Sequence, residues 1–169
     1  MTTKPRIEEL PEKKLVGISI RMSWADNKAA ELWRRFMPRK NEIKNTLGTD
    51  LYSLQIFDRM PDFLNFDPHT SFTRWAAVET TSFEDTPEGM ETHVLREGLY
   101  AVFLYKGLPQ NVGPTIQFIY GEWLPASQYI LDHRVHFELL GNRYKNNHPD
   151  SEEELWVPIR TKTKGSAVR

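Results

Sequence analysis

The sequence of 169 residues contains no cysteine. This absence excludes disulfide bonds, thiolate metal sites and a cysteine nucleophile, and it is compatible with a reducing cytoplasm. The sequence also lacks an apolar run near the roughly 18 residues that a membrane-spanning helix needs, and its first residues lack the apolar stretch of a signal peptide. We therefore expect a cytoplasmic protein without membrane association.

An excess of charge of one sign is also lacking. The chain has 22 Lys and Arg against 23 Asp and Glu, which gives a formal net charge of −1 and no basic footprint for nucleic acid. No G-x-G-x-x-G, P-loop or G-x-S-x-G motif is present, so nothing in the sequence points to a dinucleotide, a nucleotide phosphate or a serine hydrolase. We expect no cofactor.

Aromatic residues, in contrast, are abundant. They make up 12% of the chain and include five tryptophans, which is more than the core of a small protein usually needs. The length and the 39% of hydrophobic residues predict one globular domain over residues 1–169.

Apolar periodicity predicts the elements of this domain. Alternation with a period of two predicts a short edge strand at residues 92–96 and longer strands at residues 15–23, 51–57, 72–81, 99–105, 135–140 and 154–160. Helical spacing predicts two helices, one that stops or kinks at Pro38 and one between Pro114 and Pro125.

The order strand–helix–strand–strand therefore occurs twice, and such repeats are a strong indication of architecture. The first module covers about residues 12–82 and the second about residues 90–160, followed by a flexible tail at 161–169. This repeat predicts an α+β fold with pseudo-twofold symmetry, in which two helices lie on one face of an antiparallel sheet and a ligand cleft lies between the modules.

The last strand carries the most specific chemistry. Glu154 and Trp156 share one of its faces, and the other face carries Leu155, Val157 and Ile159, which suit packing under a helix. A carboxylate in a poorly solvated cleft needs a positive partner, and an indole attracts cations. The pair predicts recognition of a flat cation. The alternative is that Glu154 is a solvated residue at the strand edge.

Several segments resemble the GyrI-like small-molecule-binding domain, which is also the effector-binding domain of AraC-type and MerR-type bacterial regulators. In the second half these segments are GLYAVFLYKG at 98–107, GEWLP at 121–125, FE at 137–138 and ELWVPI at 154–159; in the first half they are LWRRF at 32–36 and the strands at 52–58 and 72–79. The resemblance covers about residues 10–160. It implies two modules around a cleft that takes bulky, often cationic aromatic compounds, with Glu154 as the cleft glutamate.

The ligand-binding residues that the resemblance and the repeat together indicate are Glu154, Trp156, Trp75, Trp24, Tyr105, Trp123 and Glu138. Each has an ordinary structural alternative. The tryptophans are core residues or loop anchors in that case, the hydroxyl of Tyr105 reaches solvent, and Glu138 forms a structural ion pair.

We therefore expect a stand-alone protein that binds hydrophobic or cationic aromatic small molecules and serves transcription regulation or a drug response, rather than an enzyme. Only about ten residues precede the domain, so we expect no helix-turn-helix and no direct DNA contact, while a protein partner remains possible. One alternative is a hydrolase of cyclopropane-containing toxins, with Glu154 as general base helped by Glu138 or Tyr105. Another is a protein-interaction module like the gyrase-inhibitory members.

Two histidines stand in an H-x-x-H pattern at His133 and His136. On a strand they point to opposite faces, and no third ligand is near in sequence, so we expect no metal site. Haem ligation by either histidine is a further alternative that nothing in the surrounding sequence supports.

Overall fold

The computed structural model describes residues 4–162. Within this range the strands are β1 (Arg6–Leu10), β2 (Lys13–Met22), β3 (Leu51–Phe57), β4 (Phe72–Thr80), β5 (Glu91–Leu95), β6 (Gly98–Lys106), β7 (Tyr129–Leu131), β8 (His136–Leu140) and β9 (Glu152–Thr161). The helices are α1 (Ala29–Phe36), α2 (Gly113–Phe118) and α3 (Leu124–Ala126). A 3-10 helix, Met37–Glu42, continues α1, and a π-helical turn, Ile119–Trp123, joins α2 to α3.

All strand pairs of the sheet are antiparallel, in the order β1-β6-β9-β8-β3-β4-β2-β5, and β7 pairs with β9. The first module supplies β2, α1, β3 and β4, and the second supplies β6, α2, α3, β8 and β9. The modules meet where β3 pairs with β8, with Leu54 opposite Phe137.

The ends of this strand order are tied together by the chain itself. Arg6 pairs with Val102 and Leu10 with Gly98; after a two-residue bend in each chain segment, Lys13 pairs with Leu95 in the same register. The segments β1–β2 and β5–β6 therefore form one bent two-stranded ribbon. This ribbon connects the two end strands of the sheet. The sheet therefore curves round, and one of its two faces lies on the inside.

Both helical segments cover the other face. Leu32 and Phe36 of α1 are fully buried against Val16, Ile18, Ala76 and Val78, and the π-helical turn packs Ile119 and Tyr120 against Phe103, Leu155 and Val157. We call this the helix face and the enclosed face the cleft face. The cleft face holds one cluster of buried residues: Leu10, Leu15, Tyr52, Leu54, Trp75, Ala77, Leu95, Tyr100, Val102, Phe137 and Trp156.

The predicted α+β fold, with two helical segments on one face of an antiparallel sheet, is confirmed. The sequence patterns missed β1, whose sequence RIEEL is mostly charged and forms a strand by pairing along the edge of β6. Pro38 kinks the first helix into a 3-10 segment, and the second helix is broken by the π-helical turn.

Residues 163–169 of the predicted tail lie outside the described residues, and Thr161 ends β9. Between residues 4 and 162, no helix has the length and apolarity that a membrane span requires.

Candidate functional site

The cleft face collects aromatic side chains from both modules. The indole of Trp156 stacks on Phe137 with ring centroids 5.1 Å apart and 19° between planes, and it meets Tyr100 edge-on at 5.6 Å. Trp75, from the other module, belongs to the same buried cluster. The middle of the face is thus filled by side chains, and space remains at its two ends.

One end is a cavity of about 400 Å³ at the start of β3 and the end of β8, bordered by Tyr52 and Leu139. Its lining includes two carboxylates, Asp50 and Glu79, and one lysine, Lys13. Trp156 also lines it, and Glu154 lies two residues before Trp156 on the same face of β9. We call this region, with Glu154, the acidic end.

Glu154 and Trp156 are joined by a hydrogen bond, and a cation of the chain covers them. Trp156 Nε1 donates to Glu154 Oε1 at 3.0 Å. The guanidinium of Arg6 places Nη1 2.9 Å from Glu154 Oε2, and its Cζ lies 5.7 Å from the centroid of the Trp156 ring. Pairing with Glu154 raises the pKa of Arg6. The chain itself therefore supplies the flat cation that the last strand predicted.

The second carboxylate of the acidic end is paired as well. Lys13 Nζ lies 3.3 Å from Glu79 Oε1, and the Tyr52 hydroxyl donates to the same oxygen at 3.5 Å. Burial, and then the charge of Glu79, raise the pKa of Tyr52, so its hydroxyl keeps its proton and stays a donor.

The opposite end of the same strands holds a smaller cavity of about 190 Å³, bordered by Ile56 of β3 and by Val135 just before β8. Four basic side chains line it: His93, Arg96, His133 and Arg134. The guanidinium of Arg134 lies over the ring of Tyr100, with Cζ 4.7 Å from the centroid. We call this region the basic end.

The structure places three of the predicted site residues on the cleft face, namely Glu154, Trp156 and Trp75. Tyr105 and Trp123 lie on the helix face instead, in the cluster under α2 and the π-helical turn. Tyr105 donates its hydroxyl to the carbonyl of Leu108, and Trp123 packs edge-on against Phe103 at 5.2 Å. The phase of β6 and the helix packing turn these two aromatics away from the cleft face, and their assignment as ligand contacts stays a prediction.

Trp24 and Glu138 also lie on the helix face. Glu138 pairs with the buried Arg74 at 2.9 Å, and Arg74 in turn lies under the ring of Trp24, which is 41% exposed. The structural alternative for Glu138 and the loop-anchor alternative for Trp24 are thus the ones this geometry favours. Burial, together with the charge of Glu138, raises the pKa of the neighbouring Glu153 to about 8.

The two histidines of the H-x-x-H pattern lie in different surroundings. Burial lowers the pKa of His136 to about 3, and its ring lies on the helix face, tilted against Phe63 at 5.0 Å. His133 is exposed and lines the basic end. Over residues 4–162, no three His, Asp or Glu side chains come close enough together to hold a metal ion.

Sequence reasoning missed Arg6, Lys13 and Glu79 as cleft residues. Glu79 had a usable signal, because it shares the strand phase of Trp75. Arg6 had none, since its strand is defined only by the partner strand β6.

Comparison with known proteins agrees with this geometry. Residues 3–160 match the model of the GyrI-like small-molecule-binding domain. The chain is 28% identical over 155 residues to the transcriptional regulator BrlR of Pseudomonas aeruginosa; the match covers 91% of this chain and 54% of the regulator, so the chain spans about half the length of that relative.

Solved structures share the fold, among them the following two. SAV2435 bound to tetraphenylphosphonium superposes with a TM-score of 0.69 at 17% identity and covers 94% of both chains. A hydrolase from Listeria innocua has a TM-score of 0.63 at 12% identity and covers 93% of this chain and 92% of its own. The family match extends over both modules and the whole cleft face, and the chain accordingly belongs to the GyrI-like family of small-molecule-binding domains.

Proposed function

We propose that the acidic end of the cleft binds an aromatic, cationic small molecule, with Glu154 and Trp156 as its main contacts. The observation that carries this proposal is the position of Arg6. A guanidinium is a flat cation, and here it lies over the Trp156 ring while pairing with Glu154. The two side chains therefore contact a positive group with a carboxylate and an aromatic ring at once, and an aromatic cation of suitable size can use both contacts.

Arg6 is held loosely enough to be displaced. Its side chain is 49% exposed, and it lies on the edge strand β1. Ion pairs between exposed groups contribute about 0–1 kcal/mol, and a cation–π contact at an exposed site adds about 0.5–1 kcal/mol. A ligand that also fills the neighbouring cavity gains apolar contact that Arg6 does not make. The cavity volume, about 400 Å³, lies in the usual range for small-molecule sites.

The relatives support the same class of ligand and a place in regulation. One structural neighbour is described as bound to tetraphenylphosphonium, an aromatic cation, and the curated relative is named a transcriptional regulator. We propose that this chain senses such a compound and that the bound state is transmitted to a partner or domain that acts on transcription.

Hydrolysis is the second candidate, because one structural neighbour is described as a hydrolase. A general base needs a carboxylate oxygen within reach of water. In Glu154 one oxygen accepts the Trp156 N–H and the other pairs with Arg6. This arrangement favours binding over proton abstraction.

The test is calorimetric titration with tetraphenylphosphonium of wild type, E154Q, R6M and E153Q. Glu153 is the matched control, because it is the next residue on β9 but belongs to the helix face. We expect E154Q to weaken binding about tenfold, since one charge-assisted contact of about 1.5 kcal/mol is lost. R6M should tighten binding several-fold because the competing cation is gone, and E153Q should bind like wild type.

Absence of binding to wild type would overturn the proposal, and so would equal affinities for E154Q and E153Q. A parallel incubation of the protein with a cyclopropane-containing electrophile, followed by mass spectrometry of the products, distinguishes the hydrolase: ring-opened product that depends on Glu154 would replace the binding proposal.

A further inference from the structure

The acidic end holds two ion pairs whose cations come from the chain itself. Arg6 pairs with Glu154 at 2.9 Å, and Lys13 pairs with Glu79. Lys13 Nζ lies 3.3 Å from Glu79 Oε1 and 3.4 Å from Glu79 Oε2, so the ammonium group contacts both oxygens of that carboxylate. The acidic end therefore has two separate places where a carboxylate binds a positive group.

The two carboxylates belong to different modules, and Tyr52 lies between their strands. Glu154 is on β9 and Glu79 is on β4, whereas Tyr52 is on β3, which pairs with β4 on one side and with β8 on the other. After burial, the negative charges that raise the pKa of the Tyr52 hydroxyl are those of Glu79, Asp50 and Glu154. Three carboxylates thus lie around the same part of the cleft.

The strand register gives the separation of the two paired carboxylates. From Glu154 on β9, the paired positions lead across β8 and β3 to Ala77 of β4, two residues before Glu79. With neighbouring strands about 4.8 Å apart, β9 and β4 lie roughly 14 Å from each other. Because side chains on the inside of a curved sheet lean towards each other, the two carboxylates lie on the order of 10–15 Å apart.

The space between the two ion pairs suits a ligand with an apolar body. The cavity of about 400 Å³ is lined by Glu79, Lys13 and Asp50 and otherwise mostly by apolar and aromatic side chains, among them Leu10, Tyr52, Phe137, Leu139 and Trp156. With Glu154 and Arg6 included, the acidic end has three carboxylates against two cations. It therefore keeps a negative excess even when both ion pairs are formed.

Lys13 can give way to a ligand, whereas Glu79 needs a positive partner in either case. The side chain of Glu79 is 18% exposed, and a carboxylate so far removed from water is costly without a nearby positive charge. Lys13 has a flexible aliphatic stem, so its ammonium group can turn towards solvent while β2 stays in place. A ligand with one positive group replaces one internal cation, and a ligand with two can replace both.

We propose that the acidic end prefers an aromatic dication, with one positive group on Glu154 and Trp156 and the other on Glu79. This inference rests on the proposed function and adds a second charge and a length to the ligand. Arg6 and Lys13 occupy the two positions that the positive groups take, and the rings between the charges fill the cavity.

The test is calorimetric titration with pentamidine, in which a flexible chain joins two benzamidinium groups, and with its monoamide, in which a neutral primary amide replaces one amidine. Because the chain is flexible, the two charges can adopt the separation that the carboxylates require. Pentamidine should bind the wild type about tenfold more tightly than the monoamide, since it makes a second charge-assisted contact.

The main variant is K13M/E79Q, which removes both charges of one ion pair and so leaves no partly buried charge without a partner. The advantage of pentamidine should then fall to about twofold, the statistical factor for two equivalent ends. E31Q is the matched control, because Glu31 is exposed on α1 and lines neither cavity, and it should keep the full advantage. Thermal unfolding checks that K13M/E79Q folds.

K13M alone gives a second measurement that keeps Glu79 in place. It should tighten the binding of pentamidine more than that of the monoamide, because the second amidinium no longer competes with Lys13.

An advantage of pentamidine of only about twofold in the wild type would overturn the dication proposal, and the proposed function would stand if E154Q still weakened binding of the monoamide. An advantage that persisted in K13M/E79Q would also overturn it, since Glu79 would not be the second contact. If neither compound bound, the dication proposal would fail, and the tetraphenylphosphonium titration would decide the proposed function separately.

Discussion

The two ends of the cleft use the same set of groups in different ways. At each end an arginine lies over an aromatic ring and pairs with a carboxylate: Arg6 with Trp156 and Glu154, and Arg134 with Tyr100 and Asp132. The side chain of Arg6 is 49% exposed, whereas that of Arg134 is 13% exposed.

The difference lies in what else each arginine contacts. Arg134 also donates to two backbone carbonyls and approaches Gly98 so closely that a Cβ there would lie 2.5 Å from Nη1. Among residues 4–162, the further side-chain partner of Arg6 is a second carboxylate, that of the exposed Glu8 beside it on β1. One arginine is therefore part of the framework of its site, and the other occupies its site in competition with a ligand.

The largest effect should come from removing the aromatic support at the acidic end. W156A deletes a buried indole and leaves a cavity beside Phe137, which should lower the free energy of unfolding by about 3–5 kcal/mol. Urea denaturation measures this loss. Tetraphenylphosphonium binding should disappear as well, because the ring that faces the bound cation is gone.

W24A is the control for W156A, since Trp24 is the exposed tryptophan of the helix face. It should cost about 1 kcal/mol or less, as is typical of exposed positions. If W156A were as mild as W24A, the buried indole would not be the aromatic support of the acidic end.

Where the alternation of apolar and polar residues along a strand is clear, the sequence predicts which face of the strand each side chain occupies. In β9 the phase of Leu155, Val157 and Ile159 placed Glu154 and Trp156 on the opposite face, and the structure has them there. That part was predictable because a strand with one face under a helix reveals its register in its apolar residues.

Other positions depend on contacts that a single strand does not encode. The resemblance and the repeat predict Tyr105 as a ligand contact, although its side chain shares the phase of Phe103, a helix-face residue. Arg6 belongs to a charged segment whose strand exists because β6 offers an edge, and Arg134 sits in a turn whose partners come from β6 and β9. Long-range pairing, rather than local pattern, brings both arginines to the cleft.

The second prediction compares the two arginines directly. R134A removes a partly buried ion pair and the two hydrogen bonds that Arg134 Nη2 donates to the carbonyls of Leu99 and Ile159, so it should cost about 2–4 kcal/mol. R6A removes an exposed pair and should cost at most about 1 kcal/mol. Urea denaturation of the two variants side by side measures the difference. Equal costs would contradict the distinction between a framework arginine and a displaceable one.

The smallest effect concerns the charge balance of the acidic end. Lys13 pairs with Glu79 at 3.3 Å, and both side chains are largely buried. K13M keeps the aliphatic stem and removes the charge, while the Tyr52 hydroxyl still donates to Glu79. The free energy of unfolding should therefore change by about 1 kcal/mol or less.

Binding should respond to K13M more clearly than stability does. With Lys13 neutralised, Glu79 attracts a cation, so tetraphenylphosphonium should bind a few-fold more tightly. K14M is the matched control, because Lys14 is the next residue of β2 and is exposed away from the cavity lining. Equal tightening by K13M and K14M would mean that the cation responds to the net charge of the protein. Tightening by K13M alone would mean that Lys13, like Arg6, pairs with a carboxylate of the acidic end that a cationic ligand would otherwise contact.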